Sequence, residues 1–186
     1  MRVEIPEVET ERLRLRAPAP RDFESFAGFY ASQRARFVGG PLSRTAAWGS
    51  FSGMAGHWVL RGYGRWLVAD RETDAALGVV GPFHPESWPE PEIAWLLFAH
   101  AEGRGLALEA ARAARAFAYG RLGWRTAISM IGPANARSAA LGERLGCHFE
   151  RVFEHPDFGA LHVWRHPGPD AAGREADQDR GGGAGT

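Results

Sequence analysis

Apolar and charged residues alternate along Leu13-Arg14-Leu15-Arg16, the period of a half-buried strand. Pro18 and Pro20 break that pattern, and Asp22-Phe23-Glu24-Ser25-Phe26-Ala27 opens a helix with acids in its first turn, where unpaired amides favour them. From about Arg44 to Leu60, Trp48, Phe51, Met54 and Trp58 recur at three- and four-residue steps, which predicts a helix with one buried face. Gly49, Gly53 and Gly56 weaken it, by roughly 1 kcal/mol each relative to Ala. Strand-like runs follow at 65–69, 77–80 and 93–98. Segment 82–91 joins the last two, and its prolines (Pro82, Pro85, Pro89, Pro91) predict a loop, since proline cannot donate to a ladder. The alanine-dense stretch Leu106 to Leu122 predicts a long helix stopped by Gly123. A short strand at 126–131 precedes a helix that starts at an Asn135 N-cap and runs to Leu145, with Gly146 as its left-handed stop. Strands at 149–153 and 161–164 close the pattern.

That order of elements predicts an α+β sandwich in which strands outnumber helices. Residues 1–166 form one domain by this reading. Residues 167–186 carry no large apolar side chain and end Gly-Gly-Gly-Ala-Gly-Thr, so the expectation is a disordered tail.

Composition narrows the chemistry. The 186 residues balance 22 cations against 22 anions, which argues against a nucleic-acid footprint. All of the cations are arginine. Without lysine there is no Schiff-base enzyme and no Walker-type phosphate loop. The single cysteine, Cys147, excludes an internal disulfide and any cysteine-cluster metal site. The start, Met1 to Glu7, has no apolar signal core, and no run of about 18 apolar residues offers a membrane span; a cytoplasmic protein is expected.

The chemically informative stretch runs from Glu92 to Ala110. A strand enters the turn Gly103-Arg104-Gly105, which opens directly into the long helix. Two glycines let the backbone curl close to a ligand, and first-turn N–H groups at the positive end of the helix dipole suit a phosphate or pyrophosphate. A plain tight turn explains the same glycines. Leu108 stands where a dinucleotide-binding fingerprint has its third small residue, so that fingerprint is not met.

Glu92-Ile93-Ala94-Trp95, then Glu102-Gly103-Arg104-Gly105-Leu106-Ala107 and Glu109-Ala110, resembles the acetyl-CoA motif of the GNAT superfamily of N-acetyltransferases. More narrowly, it is similar to the branch that acetylates the N-terminal amines of ribosomal proteins. Thr10 to Arg16 with Asp22 resembles that branch's opening strand and helix, and Asn135-Ala136-Arg137-Ser138 with Leu145-Gly146-Cys147 its Asn-x-x-Ser…Leu-Gly-Phe segment. The resemblance covers roughly Val8 to Arg165. It implies a mixed, mostly antiparallel central sheet of about six to seven strands flanked by about four helices. It implies acetyl-CoA as co-substrate, no metal, and direct transfer to a primary amine on a small molecule or a protein N-terminus. Pantetheine would lie in a splay beside the strand that starts at Glu92, against the backbone of Leu97 and Ala99. Gly103, Arg104, Gly105, Leu106 and Ala107 would hold the pyrophosphate, with Asn135 and Ser138 on the pantetheine arm. The Phe98 N–H would stabilise the oxyanion and Glu92 would be the general base, the other reading of Glu92 being a strand-end residue paired to an arginine. Ser129, or solvent, would be the general acid. The chain departs from the family pattern at Glu102, where Gln or Arg is usual, at Gly142, where many members have a nearby tyrosine, and at Cys147.

A non-catalytic acyl-CoA-binding module is the competing class, and a different nucleotide binder a third. Outside the motif, Cys147, Trp48 and Trp58 are expected in the core, and Trp66 and Trp88 either there or in a pocket wall. His84 lines a cleft or caps a turn, and His162 and His166 share a spacing unsuited to metal on a strand. Arg112 and Arg115 are expected on a solvated face, with Glu109 pairing to Arg112. A homodimer through an exposed last strand is left open.

Overall fold

The strands are β1 (Val8–Glu9), β2 (Leu13–Arg16), β3 (Trp66–Asp70), β4 (Ala76–Phe83), β5 (Glu92–Leu97), β6 (Ile128–Ile131), β7 (His148–His155) and β8 (Gly159–Arg165). In this computed structural model, which describes residues 3–172, they form one sheet ordered β1-β2-β3-β4-β5-β6-β8-β7. Every joint is antiparallel except β5 with β6. The four α-helices are α1 (Phe23–Ala31), α2 (Arg44–Arg61), α3 (Leu106–Gly120) and α4 (Ala136–Arg144). The sheet has one strand more than the upper expectation because β1 is only two residues long, too short for a periodic signal.

The sheet buries both faces. Trp66, Val68, Val80 and Ile93 pack with Ala110, Ala111, Ala114 and Ala118 of α3, whose small side chains let that helix lie close on the strands. Leu67, Val79 and Leu96 point the other way, toward Phe26 and Tyr30 of α1 and Phe51 and Met54 of α2. Period-2 alternation along the strands therefore feeds two cores.

Several sequence expectations are corrected by this packing. Trp48 is half-exposed rather than in the core, because Ala47 takes the inward position one residue earlier; Trp66 is fully buried and walls no pocket. Pro82 lies inside β4, opposite Ile93. It is tolerated because β4 outruns β3 there: the last β3 partner, Trp66, is opposite Val80, so the missing N–H faces no strand. Arg115 is buried, not solvated, and donates to the Leu145 carbonyl at the end of α4 (2.5 Å). Glu109 accepts from Thr10 Oγ1 and from the backbone N–H and Nε of Arg12, which fastens α3 to the chain just ahead of β2. The last strand is not an edge: β8 lies between β6 and β7, and β7 is the outer strand. Of the expected tail, residues 173–186 lie outside the described residues, while Pro167 accepts a hydrogen bond from Tyr119 Oη (2.8 Å) and 169–172 form a helical turn.

The entrance to α1 hangs on a buried ion pair. Arg16 forks onto Asp22 (2.8 and 2.9 Å) and sends Nε to Asp74 (2.7 Å); both Arg16 and Asp22 are nearly inaccessible. The Asp22 hydrogen bond is the main influence holding the Arg16 pKa above its usual range. Removing one partner strands a buried charge. Asp22→Ala is expected to lower unfolding free energy by about 3 kcal/mol in urea titrations, with Arg16→Met plus Asp22→Ala losing less than the single variant.

Candidate active site

β5 is zipped to β4 along its whole length, from Phe83 opposite Glu92 to Gly78 opposite Leu97. Its other side meets β6 at one position only, Glu92 beside Ile128, after which the two parallel strands part. The apex of this opening is tied by buried polar contacts. Met130 N–H donates to Glu92 Oε2 (2.9 Å), and Ser129 Oγ donates to the Ile93 carbonyl (2.7 Å). Ser129 Oγ also lies 2.9 Å from His166 Nε2. With the serine proton on Ile93, the oxygen accepts from a protonated Nε2. Burial, followed by the Arg115 and Arg165 charges, lowers the His166 pKa to about 3.

Register decides which amides face the opening. Phe98 N–H donates to the Leu77 carbonyl across from it (2.8 Å). In an antiparallel ladder such pairs alternate, so Glu92, Ala94, Leu96 and Phe98 turn toward β4 while Ile93, Trp95 and Leu97 turn toward the splay. Phe98 is therefore unavailable as an oxyanion donor. Ala99 is exposed and opens a short 3-10 turn, Ala99–Ala101.

Two cavities meet along Trp95, Asn135 and Ser138. The larger, of about 700 Å³, is lined by Leu97, Gly103, Gly105, Leu106, Ala107 and the N-terminus of α4. Gly103 and Gly105 have φ of 75° and 76°, the left-handed region that a side chain would strain, and Gly105 is the N-cap of α3. Arg104 is exposed, and its carbonyl accepts from Arg12 Nη1 (3.0 Å). Asn135 Oδ1 accepts from Ser138 N–H as a helix cap (3.3 Å), and Ser138 Oγ accepts from Trp95 Nε1 (3.3 Å), bridging β5 to α4. Glu102 is not a bare negative charge beside the glycine turn. It pairs with Arg34 (2.5 Å) and Arg137 (2.7 Å) on opposite rims. Burial pushes its carboxyl up, but the Arg137 and Arg34 guanidiniums prevail and hold it below the ordinary carboxylate range.

The smaller cavity, of about 310 Å³, contains Glu92 and Ser129 with Tyr30, Phe37, Arg65, Phe83, Trp88, His155 and Phe158. Glu92 is 5% exposed. Desolvation lifts its pKa to about 7 against the Met130 N–H, the Trp88 indole and the Arg65 charge, all of which favour the carboxylate. No arginine pairs with it within 4 Å among the described residues, unlike Glu90 and Glu102. Ser129, its hydroxyl proton already held by Ile93, is a brace rather than an available acid. His84 does not line the cavity; its Nε2 lies 3.3 Å from the Trp88 carbonyl, within the loop.

The sequence singled out residues that fall in adjoining cavities: the glycine turn and Leu97 in the larger, Glu92 in the smaller, and Asn135 and Ser138 in both. It missed Tyr30, Phe37, Arg65, His155 and Phe158, which arrive from α1, the following 3-10 turn, the approach to β3 and the β7–β8 turn. No local pattern links those segments. Among the described residues there is no cluster of three or more metal-ligating side chains, and no helix is long and apolar enough to cross a membrane.

A family model described as an acetyltransferase (GNAT) domain matches residues 12–148. The solved acetyltransferase from Agrobacterium tumefaciens strain C58 is similar at 37% identity, over 90% of this chain and 97% of that one, with a TM-score of 0.81. The ribosomal-protein-S5-alanine acetyltransferase from Vibrio fischeri shares the fold at 14% identity and TM-score 0.69, over 89% of this chain and 98% of that one. So does RimL, a ribosomal L7/L12 alpha-N-protein acetyltransferase solved with coenzyme A, at 16% identity and TM-score 0.69, covering 87% and 96%. The matched span runs from the arginine that fastens the glycine turn to the first residue of β7 and takes in the splayed joint whole: the chain belongs to the GNAT family of N-acetyltransferases.

Proposed function

We propose that this protein carries an acetyl group from acetyl-CoA directly to a primary amine while both substrates are bound, with Glu92 as general base. The observation that carries the reading is a buried carboxyl with a pKa near 7, without an arginine partner among the described residues, where a phosphate-suited cleft meets a second, aromatic-walled chamber. The first-turn amides of α3 and the Gly103–Gly105 backbone suit the pyrophosphate, and the backbone edge of Trp95 and Leu97 suits the pantetheine amides. Arg34 and Arg137, bridged by Glu102, leave a net positive charge beside the cleft.

An ammonium held at Glu92 gives a proton to the carboxylate, and the neutral nitrogen attacks the thioester carbon; the excess proton that the nitrogen then carries passes to solvent. The cleft-facing amides of Trp95 and Leu97 are the donors for the resulting oxyanion. The C–S bond then breaks and the thiolate takes its proton from solvent, since the Ser129 hydroxyl is engaged with the Ile93 carbonyl. An α-amine, with a pKa of about 8, needs less of the base than a lysine side chain near 10. Positioning in two adjoining cavities supplies much of the rate.

Acetyl-CoA or CoA at about 100 times its dissociation constant is expected to add ~2.7 kcal/mol of stability. In a thermal melt that is a rise of roughly 5–10 °C, absent with ATP or NAD. Binding without transfer to any amine would favour the non-catalytic module instead. For turnover, kcat/KM is expected to climb through about pH 7 as Glu92 ionises, and Glu92→Gln to lose that limb and roughly a hundredfold or more in rate. Stability responds with the opposite sign. Between about pH 4.5 and 7 the folded state retains a proton that the unfolded chain releases, so ionising Glu92 costs the fold about 3 kcal/mol by the top of that window. The stability of Glu92→Gln relative to wild type, from urea titrations across pH 4 to 8 (a range of about 4 units), should rise by that amount.

A further inference from the structure

His155, the last residue of β7, is 3% exposed and lines the smaller cavity. Its Nδ1 accepts two backbone N–H groups, from Asp157 (3.0 Å) and Phe158 (3.3 Å), in the turn between β7 and β8. A nitrogen that accepts carries a lone pair, so the ring proton is on Nε2. That Nε2–H is buried without a hydrogen-bond partner among the described residues. A turn that fixes the tautomer and a sheet edge that fixes the ring leave one donor on this imidazole, at the wall of a chamber that also contains Glu92.

The Trp88 ring links the two. Its centroid is 5.0 Å from that of His155 in an edge-to-face contact, and its own Nε1–H is likewise buried without a hydrogen-bond partner among the described residues. Phe158 closes the box, 5.8 Å from Trp88 and 4.8 Å from His155. The chamber therefore offers an acceptor for an ammonium at Glu92 and, one indole away, a donor for an oxygen at His155, between apolar walls.

Building on the transferase reading, we propose that His155 Nε2–H selects acceptors whose primary amine lies close to a carbonyl or carboxylate oxygen, the chemistry of an aminoacyl group, over amines that lack one. His155 binds that oxygen and so seats the amine on Glu92. Polyamines and alkylamines leave the donor unpaired, which is the strongest kind of discrimination a small pocket achieves.

The test compares full-length wild type, His155→Asn and His155→Gln with acetyl-CoA on alaninamide and isopropylamine. Asn places an oxygen where Nδ1 caps the turn but has no atom at Nε2; Gln returns an N–H there. The ratio of kcat/KM for alaninamide to that for isopropylamine should fall about tenfold in His155→Asn and recover at least partly in His155→Gln. Parallel assays on free alanine and on a tetrapeptide that starts with alanine distinguish the sources of the oxygen: His155-dependent transfer to alanine points to free amino acids, and to the peptide, chain N-termini. An unchanged ratio with active enzyme overturns this inference and leaves the transferase reading standing. Failure of the wild type to acetylate any of the four, although acetyl-CoA binds, overturns both.

Discussion

Everything the site does depends on one joint where an otherwise antiparallel sheet turns parallel. β5 and β6 pair as strands only at Glu92 and Ile128, and from there the gap widens toward the glycine turn. Beyond that contact, backbone amides of β5 have no strand to pair with, and a buried unpaired amide is costly unless something else occupies the edge. A substrate that imitates a strand is the natural occupant. The joint stays shut at its closed end because Arg165 of β8 forks onto Glu90 (2.6 and 2.9 Å), just ahead of β5, while also reaching Glu150 of β7 and Thr126 ahead of β6. Four segments are thereby held at the root of the V, and Ser129 with His166 repeats the clamp one layer inward.

Arginine as the only cation fits these uses. Arg16, Arg12 and Arg165 each satisfy two or more acceptors at fixed angles, which a guanidinium fork does and an ammonium does not. Glu102 turns the relation around, with one carboxylate holding two arginines on either rim of the cleft. Read from sequence, a glutamate at that position looks like a charge set against the anion it should help to bind. In the fold it is a bridge that holds two mutually repelling guanidiniums, Arg34 and Arg137, beside the cleft.

What was legible in the sequence was what is local. The run from Glu92 through Gly103-Arg104-Gly105 into α3, and the Asn135 cap, are contiguous patterns whose elements follow from spacing, while their chemistry follows from the family resemblance. What depends on pairing was not legible. Whether Phe98 or Leu97 faces the splay is a matter of register parity, and a shift of one residue exchanges the two sides of a strand. Ser129 reads as a free hydroxyl until Ile93 is seen beside it. Arg115 reads as a surface cation until the end of α4 is placed over it. Trp48 reads as core from its spacing and is half-exposed, because helical phase is set by packing against α1. The second chamber is the extreme case, since its walls come from segments separated by most of the chain.

The same burial that equips Glu92 for proton transfer sets it against the fold. A carboxyl lifted to about 7 by desolvation is one that the unfolded chain would rather ionise, and the buried His166 and half-buried His57, lowered to about 3 and 4, are bases in the mirror situation. Their effects oppose: ionising Glu92 weakens the fold as pH rises toward 7, and protonating the two histidines weakens it as pH falls below about 6.5. The histidines act structurally, His166 on Ser129 and His57 accepting the His84 N–H at the start of the loop that carries Trp88. Keeping both uncharged near neutrality keeps the apex and the loop in place over the interval in which Glu92 changes state. A base that titrates near 7 can then gain and lose its proton inside a frame that does not titrate with it.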